Sequence, residues 1–115
     1  MSGHGNREST LLADAIHWRD RVLTDVKSAK GRDAAEAHQV PIELICEAVG
    51  LIATYIARGE ILVSRRDTIG ALCGPRQTWR VAAYLEDRGH IEPVDDRDLF
   101  RPIGIRPGEL PLPIA

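Results

Sequence analysis

Residues 74–91, GPRQTWRVAAYLEDRGHI, decide the fold, because a start signal, an apolar period and a stop signal fall within one short stretch. Gly74 can cap a helix and Pro75 suits its first position, where the missing N–H would have no partner anyway. Thr78, Val81, Ala82 and Leu85 follow at spacings of three, one and three, which predicts one buried helical face. Arg88 and Gly89 end the helix, as a glycine after the last turn does. The positions left outside are Arg76, Gln77, Trp79, Arg80 and Ala83. For Trp79 two placements are open: the outer face, or a tuck against Tyr84 or the segment that follows.

Working upstream, Ser64 and Asp67 approximate a capping box, so a short helix is expected from Arg65 to about Cys73, buried through Ile69 and Leu72. Residues 61–63, ILV, suit a short strand. Before them the run PIELICEAVGLIATYIARG starts with Pro41 at a first helical position. It carries one apolar stripe of Ile42, Ile45, Val49, Ile52 and Ile56, and a second of Leu44, Ala48, Leu51 and Tyr55. Such a girdle predicts a helix buried on most of its circumference, at the core's centre or in an interface. From Ser9 or Thr10 to Lys30-Gly31 an amphipathic helix is predicted, with Leu12, Ala15, Ile16, Leu23 and Val26 on its apolar side and Trp18 near it. Residues 32–39 suit a linker or a short helical turn equally well.

Downstream, His90 to Val94 and Leu99 to Ile103 are expected to be two strands around Asp95-Asp96-Arg97-Asp98. Four of the seven prolines lie in the final fifteen residues, RPIGIRPGELPLPIA, which favours an extended tail over helix or central strand. Three regions result: an N-terminal helix and linker (1–40), a central unit (41–104) and a Pro-rich tail (105–115).

A chain of 115 residues holds one ordinary domain, and 43% hydrophobic with 28% charged residues is a globular composition. Charge interrupts every apolar run, so none reaches the roughly 20 residues a membrane span needs, and MSGHGNREST lacks the apolar core of a secretory signal. A cytoplasmic protein is expected. Cys46 and Cys73 have no second ligand at zinc spacing and are expected to be reduced core residues. The net charge of −2 argues against bulk electrostatic binding of nucleic acid, but the charge is unevenly distributed. From Ser64 to Leu85 four arginines (Arg65, Arg66, Arg76, Arg80) face one acid, Asp67, a local +3. From Glu86 to Asp98 six acids face Arg88 and Arg97, a local −4.

The order helix, short strand, short helix, tight turn, helix and hairpin resembles a winged helix-turn-helix domain of the bacterial or phage regulator type, over residues 41–104. Leu85, the polar Glu86-Asp87-Arg88, Gly89 and Ile91 match the way the second helix of that motif runs into the wing in many bacterial repressors. The fold class is therefore mainly α with a small β-hairpin, preceded by an N-terminal amphipathic helix. The resemblance implies a homodimeric, sequence-specific transcriptional regulator that binds double-stranded DNA with the helix 75–88 in the major groove. Arg76, Gln77 and Arg80 would contact bases, since Arg pairs with guanine and Gln with adenine. Arg65, Arg66, Arg97 and Arg101 would contact the backbone. The acidic tip at 95–98 departs from a phosphate-binding wing. The alternative is a protein-binding adaptor or inhibitor that docks through this acidic tip or the Pro-rich tail.

Other chemistry is thin. His4, His17, His38 and His90 are scattered. The DDRD stretch lacks the Gly and distal Glu of a calcium loop. With no Gly-rich phosphate loop, nucleophile elbow or HExxH pattern, neither an enzyme nor a bound metal or cofactor is expected.

Overall fold

The computed structural model describes residues 3–60, 62–95 and 98–105. Four helices, α1 (Gly3–Lys27), α2 (Ala29–Ala37), α3 (Ile42–Ala57) and α4 (Pro75–Asp87), accompany three short strands, β1 (Val63–Ser64), β2 (Ile91–Pro93) and β3 (Leu99–Pro102). The protein is mainly helical with a small antiparallel sheet of order β1-β3-β2. The Pro-rich tail expected over 105–115 lies, after Ile105, outside the described residues.

The core forms around α3, which buries Ile45, Ala48, Val49, Ile52, Ala53 and Ile56. Its second stripe is less enclosed than expected: Leu44, Leu51 and Tyr55 are half-buried. Only Glu43, Glu47 and Thr54 of α3 are exposed, so the helix is buried or half-buried around most of its circumference. The main neighbour is α1. Here the buried stripe differs from the expected one. Ala15, Trp18, Val22 and Val26 are buried at spacings of three, four and four, whereas Leu12 and Ile16 are exposed. Trp18 sets the helix rotation: its indole N–H donates to the His90 carbonyl at 3.2 Å, which buries the ring with its polar edge satisfied.

Gly31 does not end the first helix. α1 stops at Lys27, Ser28 caps α2 by accepting the Gly31 N–H at 3.0 Å, and the Ala-rich segment 32–37 continues as helix. Of the two readings open for residues 32–39, the helical one holds for most of the segment. Gly31 instead allows two helices to approach, since a Cβ there would lie 1.8 Å from the Asp25 carbonyl oxygen. The Gly31 carbonyl accepts the Tyr84 hydroxyl at 3.1 Å, joining α2 to α4.

The expected helix from Arg65 to Cys73 is reduced to turns and one 3-10 segment, Ile69–Ala71, and Leu72 is exposed. Ser64 accepts the Asp67 N–H at 3.1 Å as a cap would. The partner acid is Asp98 of the hairpin: it takes the Ser64 hydroxyl and, at 2.9 Å, the Arg66 N–H. Thr68 leaves helical geometry at φ −104°, ψ −82°, and β-branched Thr68 and Ile69 followed by Gly70 are poor helix formers. β1 starts later than expected, and Ile61 lies outside the described residues. Buried Val63 and Phe100 pair across β1 and β3, and Ile91 faces Pro102 across β2 and β3.

α4 begins and ends where its capping signals put it. Gly89 takes a φ of 78°, in the left-handed region, and His90 N–H returns to the Leu85 carbonyl at 2.9 Å. Val81, Ala82, Leu85 and Tyr84 are buried in one cluster with Ile45, Val49, Ile52 and Ile69, and Thr78 is half-buried at its edge. No single described helix is long and apolar enough to cross a membrane.

Candidate nucleic-acid interface

Because α4 turns Val81, Ala82, Tyr84 and Leu85 inward, the three- and four-residue helical spacing leaves Arg76, Trp79, Arg80 and Ala83 on its other side. Arg76 is exposed and Arg80 half-buried, and neither joins an ion pair among the described residues. Trp79 is 71% exposed, so of the two placements open to it the outer face is the one adopted. Tyr84 points the opposite way into the core. Gln77 lies at the border of the two faces, with its side-chain oxygen enclosed and without a hydrogen-bond partner.

The start of α4 is open. Gly74 is the N-cap, no side chain caps it, and Pro75 occupies the first turn. The early N–H groups of such a helix are available to an acceptor from outside. Beside them a cleft of about 360 Å³ separates the 3-10 turn from α4, lined among others by Arg66, Gly70, Pro75, Thr78 and Trp79.

The arginines expected at the backbone divide by their partners. Arg66 is exposed at the cleft. Arg65 is only 13% exposed in its side chain and pairs with Glu86 of α4 at 3.1 Å, which makes it a strut between the turn and the helix. Arg101 is exposed but pairs across the hairpin with Glu92, its Nε donating at 2.8 Å. Arg97 lies outside the described residues, as does Asp96.

The acidic tip is partly committed to the fold. Asp98 bridges Ser64 and the Arg66 backbone. Burial pushes its carboxyl upward, but those hydrogen bonds and the Arg66 and Arg65 charges outweigh it and hold the pKa below the ordinary value. Asp95 accepts the Leu99 N–H at 3.4 Å.

Sequence reasoning missed a clamp at the far end of α4. Asp25 of α1 takes Arg88 in a two-point contact, at 2.6 and 3.0 Å, and His90 at 2.8 Å. The Arg88 hydrogen bonds hold the Asp25 carboxyl below its ordinary pKa against the opposing effect of burial, with His90 adding to the shift. His38 of the segment after α2 meets Asp87 at 2.7 Å and packs edge-on against Tyr84, ring centres 6.0 Å apart. Together these contacts fix the tilt of α4 and the entry of the hairpin. A separation of 63 to 65 residues leaves no local pattern from which such pairing could be read.

Both cysteines are free and half-buried, less enclosed than core residues, and burial pushes the Cys46 thiol upward. Among the described residues no group of three or more His, Cys, Asp or Glu side chains is placed to hold a metal ion. Comparison with models of protein families, with curated proteins and with solved structures finds no match to this chain.

Proposed function

We propose that this protein is a sequence-specific DNA-binding transcriptional regulator of winged helix-turn-helix architecture, a homodimeric binding protein of the cytoplasm and not an enzyme. The carrying observation is the outer face of α4, where Arg76 and Arg80 stand four residues apart without acidic partners among the described residues, on a helix with no side-chain cap at its first turn. Helix, strand, turn, helix and hairpin in that order, with strand order β1-β3-β2, support the architecture. In this reading α4 enters the major groove. Arg76 and Arg80 contact base edges, Gln77 supports them from the rim, and Arg66 with the early α4 N–H groups binds phosphate. Arg65 and Arg101 direct their charge to Glu86 and Glu92 and serve the fold first. The engagement of Asp98 at the turn weighs against an adaptor that docks through the acidic tip, one of the two routes open to that alternative. One helix reads one half-site, hence the homodimer. Exposed Leu12 and Ile16 on α1 suit the contact between copies.

Selection from random duplex DNA at two salt concentrations tests the reading. A preferred sequence should emerge, and Arg76→Ala and Arg80→Ala should each weaken it by about 1–3 kcal/mol, while Arg66→Ala weakens all duplexes alike and flattens the salt dependence. Full sequence-specific affinity in the double arginine variant, or no duplex bound even at low salt, would reject it. Sedimentation at roughly tens of micromolar, where weak interfaces associate, should show dimers.

A further inference from the structure

Trp79 stands 71% exposed on the outer face of α4, whereas the protein's other tryptophan, Trp18, is fully buried. An indole left in water forgoes one of the largest hydrophobic gains any side chain offers, so its placement calls for a partner. Its surroundings narrow the choice. Arg76 lies one turn before it, Arg80 next to it, and Arg66 shares its cleft. Asp98 also lines that cleft, but Arg66, Arg76 and Arg80 outnumber it, and an apolar plate in a net cationic rim fits a polyanion that presents an apolar group and disfavours a basic or purely apolar partner surface. Along the major groove of duplex DNA the apolar group on the base edges is the thymine C5 methyl.

We infer that Trp79 is a specificity-determining contact that packs its indole against a thymine methyl in the recognised duplex. This rests on the reading of α4 as the base-contacting helix and deepens it by assigning a base type to one position. Trp79 follows Arg76 by three residues, about 4.5 Å along the helix axis. Base pairs rise by about 3.4 Å. The thymine therefore lies within about two base pairs of the base contacted by Arg76. Its recognition is steric and apolar, so it responds weakly to salt, unlike the arginine contacts.

The test uses the full chain and the duplex recovered by selection. Each thymine is replaced in turn by deoxyuridine, which removes only the methyl group. One replacement should lower wild-type affinity about fourfold, the equivalent of one methyl returned to water. Trp79→Ala should bind the thymine and deoxyuridine duplexes equally, while still discriminating at the Arg76 position. Because Trp79 is outside the core, this variant keeps its fold, which circular dichroism checks. Iodide quenching of tryptophan emission offers a second readout, since Trp18 is shielded in every state: binding of the duplex should protect Trp79. Indifference to deoxyuridine at every position, or discrimination that persists in Trp79→Ala, overturns the inference while the regulator reading stands. Protection of Trp79 by raising protein concentration alone assigns the indole to contact between copies, and tighter binding of single strands assigns it to base stacking. Either result overturns it. Recovery of no duplex removes the regulator reading and this inference together.

Discussion

Alanine at Gly31 and at Gly50 is the same chemical change within two helices, in the first turn of α2 and in the middle of α3, and the structure assigns it opposite signs. A helix interior favours Ala over Gly by about 1 kcal/mol. At Gly50 a Cβ meets nothing within 4 Å, so Gly50→Ala should realise that gain and stabilise the protein by about 0.5–1 kcal/mol. At Gly31 the Cβ would stand 1.8 Å from the Asp25 carbonyl oxygen, 2.8 Å from its carbon and 2.9 Å from Val26 Cα. All three are backbone atoms, so α2 must move away from the end of α1. Overpacking of this kind costs about 1–3 kcal/mol. The same movement stretches the 3.1 Å bond from the Tyr84 hydroxyl to the Gly31 carbonyl, and a buried hydroxyl without a partner costs about 1–3 kcal/mol more. Against the helix-propensity gain, Gly31→Ala should destabilise by roughly 3 kcal/mol. Urea unfolding followed by far-ultraviolet circular dichroism should therefore separate the two variants by about 4 kcal/mol, with wild type between them. If Gly31→Ala matches the wild type or exceeds it, the close approach of α1 and α2 at Gly31 does not exist.

Asp25→Asn should cost about 1–3 kcal/mol by weakening the charged hydrogen bonds to Arg88 and His90. Its depressed folded pKa gives the pH dependence a definite sign: the contribution is present above the ordinary aspartate value, about 3.9, and is lost as pH falls through the lower folded value. Urea midpoints of wild type and variant should thus stay apart near neutrality and converge only in that acid window. Trp18→Phe should lose about 1–3 kcal/mol through the vacated volume and the lost indole hydrogen bond to the His90 carbonyl, which keeps the Ile103 N–H at 2.9 Å, and its remaining emission, from Trp79 alone, should be open to iodide. Thermal melts should show Arg65→Ala destabilised by about 1–2 kcal/mol because Glu86 loses its partner, with Arg66→Ala unchanged; equal melting temperatures would remove the strut assigned to Arg65.

Local chemistry by itself determined α4, α3 and the hairpin. Pro75 and Gly89 bracket α4, Ile45, Val49 and Ile52 mark the inner face of α3, and the strand-forming runs on either side of residues 95–98 place β2 and β3. Each of these signals acts within a few residues, through capping, backbone freedom or apolar period, and so survives in the order of amino acids. The outward position of Arg76, Trp79 and Arg80 follows from the same period once Val81, Ala82 and Leu85 turn inward. Only the tertiary structure decided how α1 rotates, where α2 begins and which charges are already used. Leu12 and Ile16 are as apolar as the residues that are buried, but Trp18 is larger and needs the His90 carbonyl, so it takes the inner position and turns them out. Gly31 carries the local signature of a terminator, yet its role comes from the Asp25 backbone crossing beside it. The pairs Asp25 with Arg88, Arg65 with Glu86, and Ser64 with Asp98 join residues 63, 21 and 34 positions apart. Such contacts have no period and no spacing rule, because their partners meet only when separate elements pack. For the same reason the sequence alone could offer Arg65, Arg66 and Arg101 as equivalent cations, and packing separates the exposed Arg66 from two arginines held by acids of the fold.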